Sequence, residues 1–455
     1  MNFGATLAPQ LALAAGVVAA LLAGLMDRAP RLLLRLLGVA VIVAALVLTA
    51  LSAPTSGGAL VRLDALGLSW QFLFYLGALP FACLVELEDE VPLALMLGCM
   101  LGMGLLAAAN SFLMLFIGLE FMSIPAYILV SRTGRASQRA REAAVKYFFA
   151  GSTAGSLFLF GMALYYADAR SLTLAPAAGP LAQAGLALMG AAALFKVGAV
   201  PLHFWLPDAY EAAAPELAGF LSTSMKAAAV LMLMRLVALA PASALAHAIP
   251  AVAALTMLVG SLLALRQQSL QRLLAYSSVS HVGYLLLGVG AWAASGASAQ
   301  GAYAVLFYLG AYVFMSNGAF CFLRASGVST RRELRGYGLR EPRLAALFAV
   351  LLLSLGGIPP TAGFLAKLLV LWEAVKAGLY WPAAIGGGAA LLSLGYYLGL
   401  IRDAYFESDE GPASGEVNRA HRPSERLVLL ACAVPAALLG LFPWIVGVLS
   451  GVLAQ

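Results

Sequence analysis

Residues 195–208 read FKVGAVPLHFWLPD, and residues 355–367 read LGGIPPTAGFLAK. Each stretch interrupts a long apolar run with glycine and then proline, and apolar sequence continues beyond the interruption. Proline removes an amide donor and clashes with the preceding turn, and glycine permits backbone angles closed to other residues. A helix broken in this way inside a membrane is tolerated where it faces protein or water, and its free ends can bind ions. A lysine stands beside each break: Lys196 just before the first, Lys367 just after the second.

Outward from these breaks, apolar runs of about 18 or more residues mark membrane spans. Fourteen segments are expected, at 8–25, 32–51, 66–85, 91–109, 111–130, 141–167, 182–200, 213–239, 247–265, 270–291, 299–323, 342–358, 383–401 and 427–449. The fold class is therefore an all-α polytopic membrane protein with broken helices 7 and 12. The breaks lie five segments apart, and an odd offset reverses membrane direction, so segments 4–8 and 9–13 are expected to form two inverted five-helix repeats. The corresponding domains are helices 1–3 at 1–90, the first repeat at 91–240, the second at 241–405, and a loop with the last helix at 406–455.

Composition agrees. Of 455 residues, 62% are apolar and 11% charged, with mean hydropathy +0.93; soluble domains are about 45–50% apolar and about 25% charged. An ordinary soluble enzyme, a disordered chain and a disulfide scaffold are excluded. Cys83, Cys99, Cys321 and Cys432 form no CxxC pair, so no zinc or cluster site is indicated. The start, MNFGATLAPQ, lacks the basic region of a cleavable signal. The net charge of +6 points to topology rather than to nucleic acid. Nineteen arginines fall in loops after odd-numbered segments and three (Arg62, Arg170, Arg235) on the opposite side. The positive-inside rule puts the crowded side in the cytoplasm and both termini outside.

Against 22 arginines stand five lysines, and Lys146, Lys196, Lys226 and Lys367 lie inside apolar segments. A charge at the bilayer centre costs at least about 2.5–3.5 kcal/mol and marks ion pathways. Buried lysine can release its proton, whereas arginine stays charged. Glu120 lies twelve residues before Arg132, roughly 18 Å at helical rise. By the same count Lys196, Lys226, His281 and Lys367 share its middle layer. Paired structural polar residues are the alternative for each of them. His203 and Asp208 flank the first break as capping or proton-transfer groups. His247 and His421 fall near segment ends, Asp64 and Glu373 at interfaces. The run Glu86, Glu88, Asp89, Glu90 is a solvated loop or a contact for a basic partner, and 409–425 is a polar loop. No phosphate loop or dinucleotide fingerprint occurs.

The stretches LFIGLEFMSIPAYIL (Glu120), EAAVKYFFAGSTAGSLFLFGMALYY (Lys146), LFKVGAVPLHFWLPDAYE (Lys196), FLSTSMKAAAVLMLMRL (Lys226), QQSLQRLLAYSSVSHVGYLLLG (His281) and GIPPTAGFLAK (Lys367) resemble the antiporter-like membrane subunits of respiratory complex I. The resemblance spans segments 4–13 and is strongest to the N type, on STSMKAA and KYFFAGS. One stretch departs from the family pattern: AAAPELAGF at 212–220 stands where a GAPTPV-like sequence is usual.

The resemblance implies a proton-translocating subunit of NADH:quinone oxidoreductase, a translocase component without a redox centre of its own. Glu120 and Lys196 would form a loading pair. Lys226 would relay laterally, with His281 bridging towards Lys367, and Lys146 would lie nearer the cytoplasmic side. NADH, FMN, iron–sulfur clusters and quinone are expected on other subunits. Expected partners are the lipid bilayer, the M-type and small K-type subunits, and protons, with no nucleic acid. The expected location is the bacterial inner membrane. The alternative is a membrane subunit of a multi-subunit cation/proton antiporter or of a membrane-bound hydrogenase.

Overall fold

The computed structural model describes residues 7–25, 30–55, 58, 60–87, 89–133, 138–176, 179–239, 244–407 and 423–442. Both chain ends, Arg28, Glu88, Arg135, Arg419, His421, Arg422 and most of the 409–425 loop lie outside the described residues.

In chain order the helices are α1 Ala8–Ala23, α2 Arg31–Leu51, α3 Ala65–Leu84, α4 Val91–Ala107, α5 Phe112–Thr133, α6 Gln138–Ala169 and α7 Pro180–Val197. Then follow α8 Trp205–Ala212, α9 Pro215–Phe220, a π turn at Leu221–Met225, α10 Lys226–Leu239, α11 Ala244–Leu265, α12 Leu270–Ala294 and α13 Ala299–Ser326. The series ends with α14 Arg331–Leu334, α15 Tyr337–Arg340, α16 Pro342–Gly356, α17 Ala362–Lys376, α18 Tyr380–Phe406 and α19 Pro423–Leu438. Every expected segment contains a helix. Among the described residues ten helical stretches, Pro215–Leu239 counted as one, are long and apolar enough to cross a membrane, and Ala8–Ala23, Val91–Ala107 and Pro342–Gly356 are shorter apolar helices. Exposed Leu, Phe and Val along α1, α2, α6 and α18 supply a lipid-facing surface. Trp372, Tyr380 and Trp381 are exposed where α17 meets α18, as aromatic side chains are at a membrane interface.

Both breaks share one backbone form. Gly198 (φ +85°) ends α7 and Gly357 (φ +83°) ends α16 in the left-handed conformation, which only glycine adopts without strain. A cis proline bond follows at the same spacing, Val200–Pro201 and Pro359–Pro360. Beyond the second break the helix resumes as α17, which the segment ending at 358 did not include. Segment 8 also differs from a plain helix, because the π turn interrupts it between α9 and α10. The loosened turn leaves the Gly219 carbonyl to accept the hydroxyls of Ser222 and Thr223, both at 2.8 Å.

The described chain divides into two compact units. One falls within Met1–Gly198 and Ser224–Ala248, the other within Ala199–Thr223 and Ile249–Val446. In the first, buried Gln10 and Gln71 tie four helices together. Gln10 donates to Gln71 (3.1 Å) and to the Gly104 carbonyl (3.0 Å), and Gln71 donates to Thr49 (3.1 Å). Away from water such amides hold helices together because each finds a partner. At one end of this unit Arg235 reaches Asp64 (3.1 Å) and the carbonyls of Ala107 and Ala109. Asp64 also caps α3 by accepting from the Gly67 amide (2.7 Å). Asp89 pairs with Arg132.

In the second unit, ion pairs tie helix ends together. Arg272 meets Asp208 (2.8 Å) and Glu211 (2.9 Å), Arg331 meets Asp403 (2.6 Å), and Arg335 meets Glu407 (2.8 Å). The α12 start and the segment after α13 join there through Leu270 N–H to Ser329 O (2.9 Å).

Candidate functional site

In the first unit, Glu120, Ser123 and Tyr127 stand at i, i+3 and i+7 on α5 and so share one face. Lys196, in the last turn of α7, is 5% exposed. Its ammonium donates to Ser123 Oγ (2.8 Å) and Tyr127 Oη (2.6 Å) and lies 5.0 Å from the centre of the Tyr127 ring. Glu120 is half-buried and close enough for its charge and that of Lys196 to act on each other. Its Oε1 is buried and makes no hydrogen bond among the described residues.

Two glycines of α6 admit this arrangement. A β-carbon at Gly155 would come within 2.6 Å of Glu120 Oε1, and one at Gly151 within 1.9 Å of Tyr127 Oη. Lys226 opens α10, is 1% exposed and lies on a helix packed against α7. Next to it Ser224 donates to the Phe74 carbonyl (2.8 Å). Lys146 is placed differently: it is exposed on α6 and pairs with Glu142 at 2.8 Å.

In the second unit, His281 on α12 is 3% exposed, with Tyr308 Oη 2.7 Å from Nδ1 and Tyr397 Oη 3.2 Å from Nε2. Tyr397 also meets Ser277. Lys367 on α17 turns back to the end of α16, donating to the carbonyls of Leu355 (3.0 Å) and Gly356 (2.8 Å) and to Ser393 (3.2 Å). A cation at a helix C-terminus meets the negative end of its dipole. Ser393 and Tyr397 are one turn apart on α18, so a single helix contacts both Lys367 and His281.

The first unit thus holds a buried lysine between two hydroxyls, and the second holds one between two peptide carbonyls and a hydroxyl. Glu120 and Lys196 come together in the first unit, while His281 and Lys367 are joined through α18 in the second. The sequence reading did not single out Ser123, Tyr127, Tyr308, Ser393 or Tyr397. The signal for the α5 pair was present in their helical register with Glu120. Of the flanking groups, Asp208 is engaged by Arg272, and Glu373 pairs with Lys376 at 3.0 Å. Such groups can bind, hold and pass protons, since lysine, histidine, carboxylate and hydroxyl all exchange them.

Residues 109–393 match the model of the family described as NADH:quinone oxidoreductase/Mrp antiporter, TM. The chain is 38% identical over 371 residues to the NADH-quinone oxidoreductase subunit N of Salinibacter ruber, covering 77% of this chain and 73% of that one. To NADH-quinone oxidoreductase subunit 14 of Thermus thermophilus it is 38% identical over 416 residues, 90% of this chain and 91% of that one. A chain in the structure of respiratory complex I from Thermus thermophilus with bound aureothin superposes with a TM-score of 0.86 at 34% identity, covering 98% of this chain and 99% of that chain. With the family matched over most of its length and the fold shared end to end, the chain belongs to the NADH:quinone oxidoreductase/Mrp antiporter transmembrane family.

Proposed function

We propose that this chain is the proton-translocating membrane-arm subunit of an NADH:quinone oxidoreductase, coupling electron transfer in other subunits to proton movement through Glu120, Lys196, Lys226, His281 and Lys367. The observation that carries the reading is the Lys196 site. A buried ammonium is held by two hydroxyls and faces an acidic group. An ionised Glu120 attracts the Lys196 proton and a charged Lys226 repels it, so a change at either neighbour alters the charge that Lys196 holds. Such groups titrate together rather than singly. Residues 91–240 and 241–405 are read as two functional halves, each with one lysine centre. Lys146, exposed beside Glu142, serves as a collecting group on the uptake side. The relatives named as quinone oxidoreductase subunits favour this reading over a cation/proton antiporter or a hydrogenase subunit.

NADH, FMN, iron–sulfur clusters and quinone belong, in this reading, to other subunits, and the neighbours in the membrane are M-type and K-type chains. The membrane is the bacterial inner membrane with both termini outside, as the arginine asymmetry supports.

The test is proton translocation per electron pair in membrane vesicles, with assembled complex quantified. Glu120→Gln keeps shape and removes charge, so it should depress pumping more than assembly. Lys196→Ala should be at least as harmful. Wild-type pumping by assembled complex in both variants refutes the assignment.

A further inference from the structure

In the first unit the orientation of two buried amides follows from one peptide oxygen. Thr49, buried on α2, gives its hydroxyl proton to the Ala45 carbonyl at 2.7 Å. It has only lone pairs left to offer, so the Gln71 atom 3.1 Å away is the donor Nε2. Gln71 Oε1 therefore turns towards α1 and accepts from Gln10 Nε2 at 3.1 Å. The second Nε2 proton of Gln10 goes to the Gly104 carbonyl at 3.0 Å. Both amide protons of Gln10 are then used. Its Oε1 is left over, a buried acceptor that makes no hydrogen bond among the described residues.

A donor in the same condition stands beside it. Tyr75, one turn beyond Gln71 on the same face of α3, is buried, and its Oη makes no hydrogen bond among the described residues. Gly104 on α4 brings the two groups together. A β-carbon there would lie 2.4 Å from Tyr75 Oη and 3.2 Å from both Cγ and Nε2 of Gln10. The phenol oxygen and the Gln10 amide are thus at most about 5.6 Å apart, the reach of two O–H···O bonds of about 2.8 Å laid end to end. Stranded in apolar surroundings, a phenol proton and an amide oxygen are both costly, and lipid supplies no partner for either. One small molecule satisfies both if it accepts from the phenol and donates to the amide. It must also be neutral, since the groups that make up this cluster are amide, hydroxyl and peptide.

We infer that Tyr75 Oη and Gln10 Oε1 bind one water molecule beside Gly104. Tyr75 donates to the water and the water donates to Gln10, within the range of about two to four polar partners that a buried water takes. The water closes a hydrogen-bonded chain that runs from the Ala45 carbonyl through Thr49, Gln71 and Gln10 to Tyr75. It thereby joins α1, α2 and α3, while α4 lines the site with the one residue type that leaves room there. A water-mediated link of this kind holds nearly as well as a direct bond. On α3 the neighbouring Phe74 carbonyl accepts from Ser224 at 2.8 Å, so the turn that holds the water also holds the approach to Lys226. The inference stands apart from the proposed function, because nothing in it requires a proton to move.

The experiment is a density map of the assembled membrane complex, with this chain complete, at a resolution that shows ordered water. The expected result is a peak about 2.7–3.2 Å from both Tyr75 Oη and Gln10 Oε1. No peak at that position overturns the inference, and so does a map in which Tyr75 Oη donates directly to Gln10 Oε1. Tyr75→Phe keeps the ring and removes the donor, so the complex should assemble and the peak should vanish. Gly104→Ala puts a methyl group into the same space and should remove the peak as well. A peak that survives either change overturns the inference, because the named groups are then not what holds the water. Should either variant fail to assemble, the map of the unaltered complex decides alone. Pumping measurements on Lys196→Ala bear on the proposed function and leave this result untouched.

Discussion

Gly151→Ala should uncouple the Lys196 centre without touching a charged residue. The added methyl would sit 1.9 Å from Tyr127 Oη and 2.5 Å from the ring carbon bearing it. An ordinary contact needs about 3.4 Å, so the hydroxyl must retreat by about 1.5 Å. Its bond from Lys196 is 2.6 Å long, and that retreat carries it out of hydrogen-bond range. A hydrogen bond to a charged group contributes about 1.5–3 kcal/mol, which is one to two powers of ten in any equilibrium that depends on it. Alanine favours the helix over glycine by about 0.8–1.0 kcal/mol, so α6 itself should not weaken.

Proton pumping in vesicles should therefore fall severalfold while the complex still assembles. Tyr127→Phe removes the same hydroxyl directly. Because both changes act through one bond, the double variant should be no worse than Tyr127→Phe alone, whereas independent effects would add. Additive losses, or wild-type pumping in Gly151→Ala, would refute the argument that the Tyr127 hydroxyl holds the Lys196 proton.

Lys226→Arg and Lys367→Arg keep a positive charge that is not released. If these lysines exchange protons, both variants should assemble and lose translocation per electron pair; normal stoichiometry in both would reduce the lysines to structural partners. For topology, reporter fusions after Arg419 and after Gln455 should report opposite sides of the membrane. The same side for both would contradict fourteen spans.

Apolar run length was enough to put a helix in every expected segment, though not to find where segment 12 ends, because a spanning helix must satisfy its own backbone and so declares itself over about 20 residues. Pro201 and the Pro359–Pro360 pair located both breaks for a similar reason, since a lost amide donor is visible in any sequence. What remained unreadable was neutral and three-dimensional. The π turn at Leu221–Met225 contains no proline or glycine to announce it. Gly151 and Gly155 matter only because α5 happens to place Tyr127 and Glu120 opposite them. Tyr308, Ser393 and Tyr397 carry no charge, so nothing in composition separates them from packing residues. Their role depends on which ring or amine they meet across helices. The exposure of Lys146 was equally hidden: its segment is apolar on average, and only the folded bundle decides which face of α6 looks outward.

The two breaks use the same backbone turn, yet their lysines are not interchangeable. Lys196 belongs to the half-helix that ends at its break, and its hydrogen-bond partners are hydroxyls. Lys367 belongs to the half-helix that begins after its break, and two of its three partners are the peptide oxygens of Leu355 and Gly356. A peptide oxygen steadies a cation but is a dead end for a proton, because it has none to trade. Ser393 is then the one member of that trio through which Lys367 can hand a proton on. Lys196 thus has two exchangeable partners and Lys367 has one, so two breaks that share a backbone form surround their lysines with different chemistry.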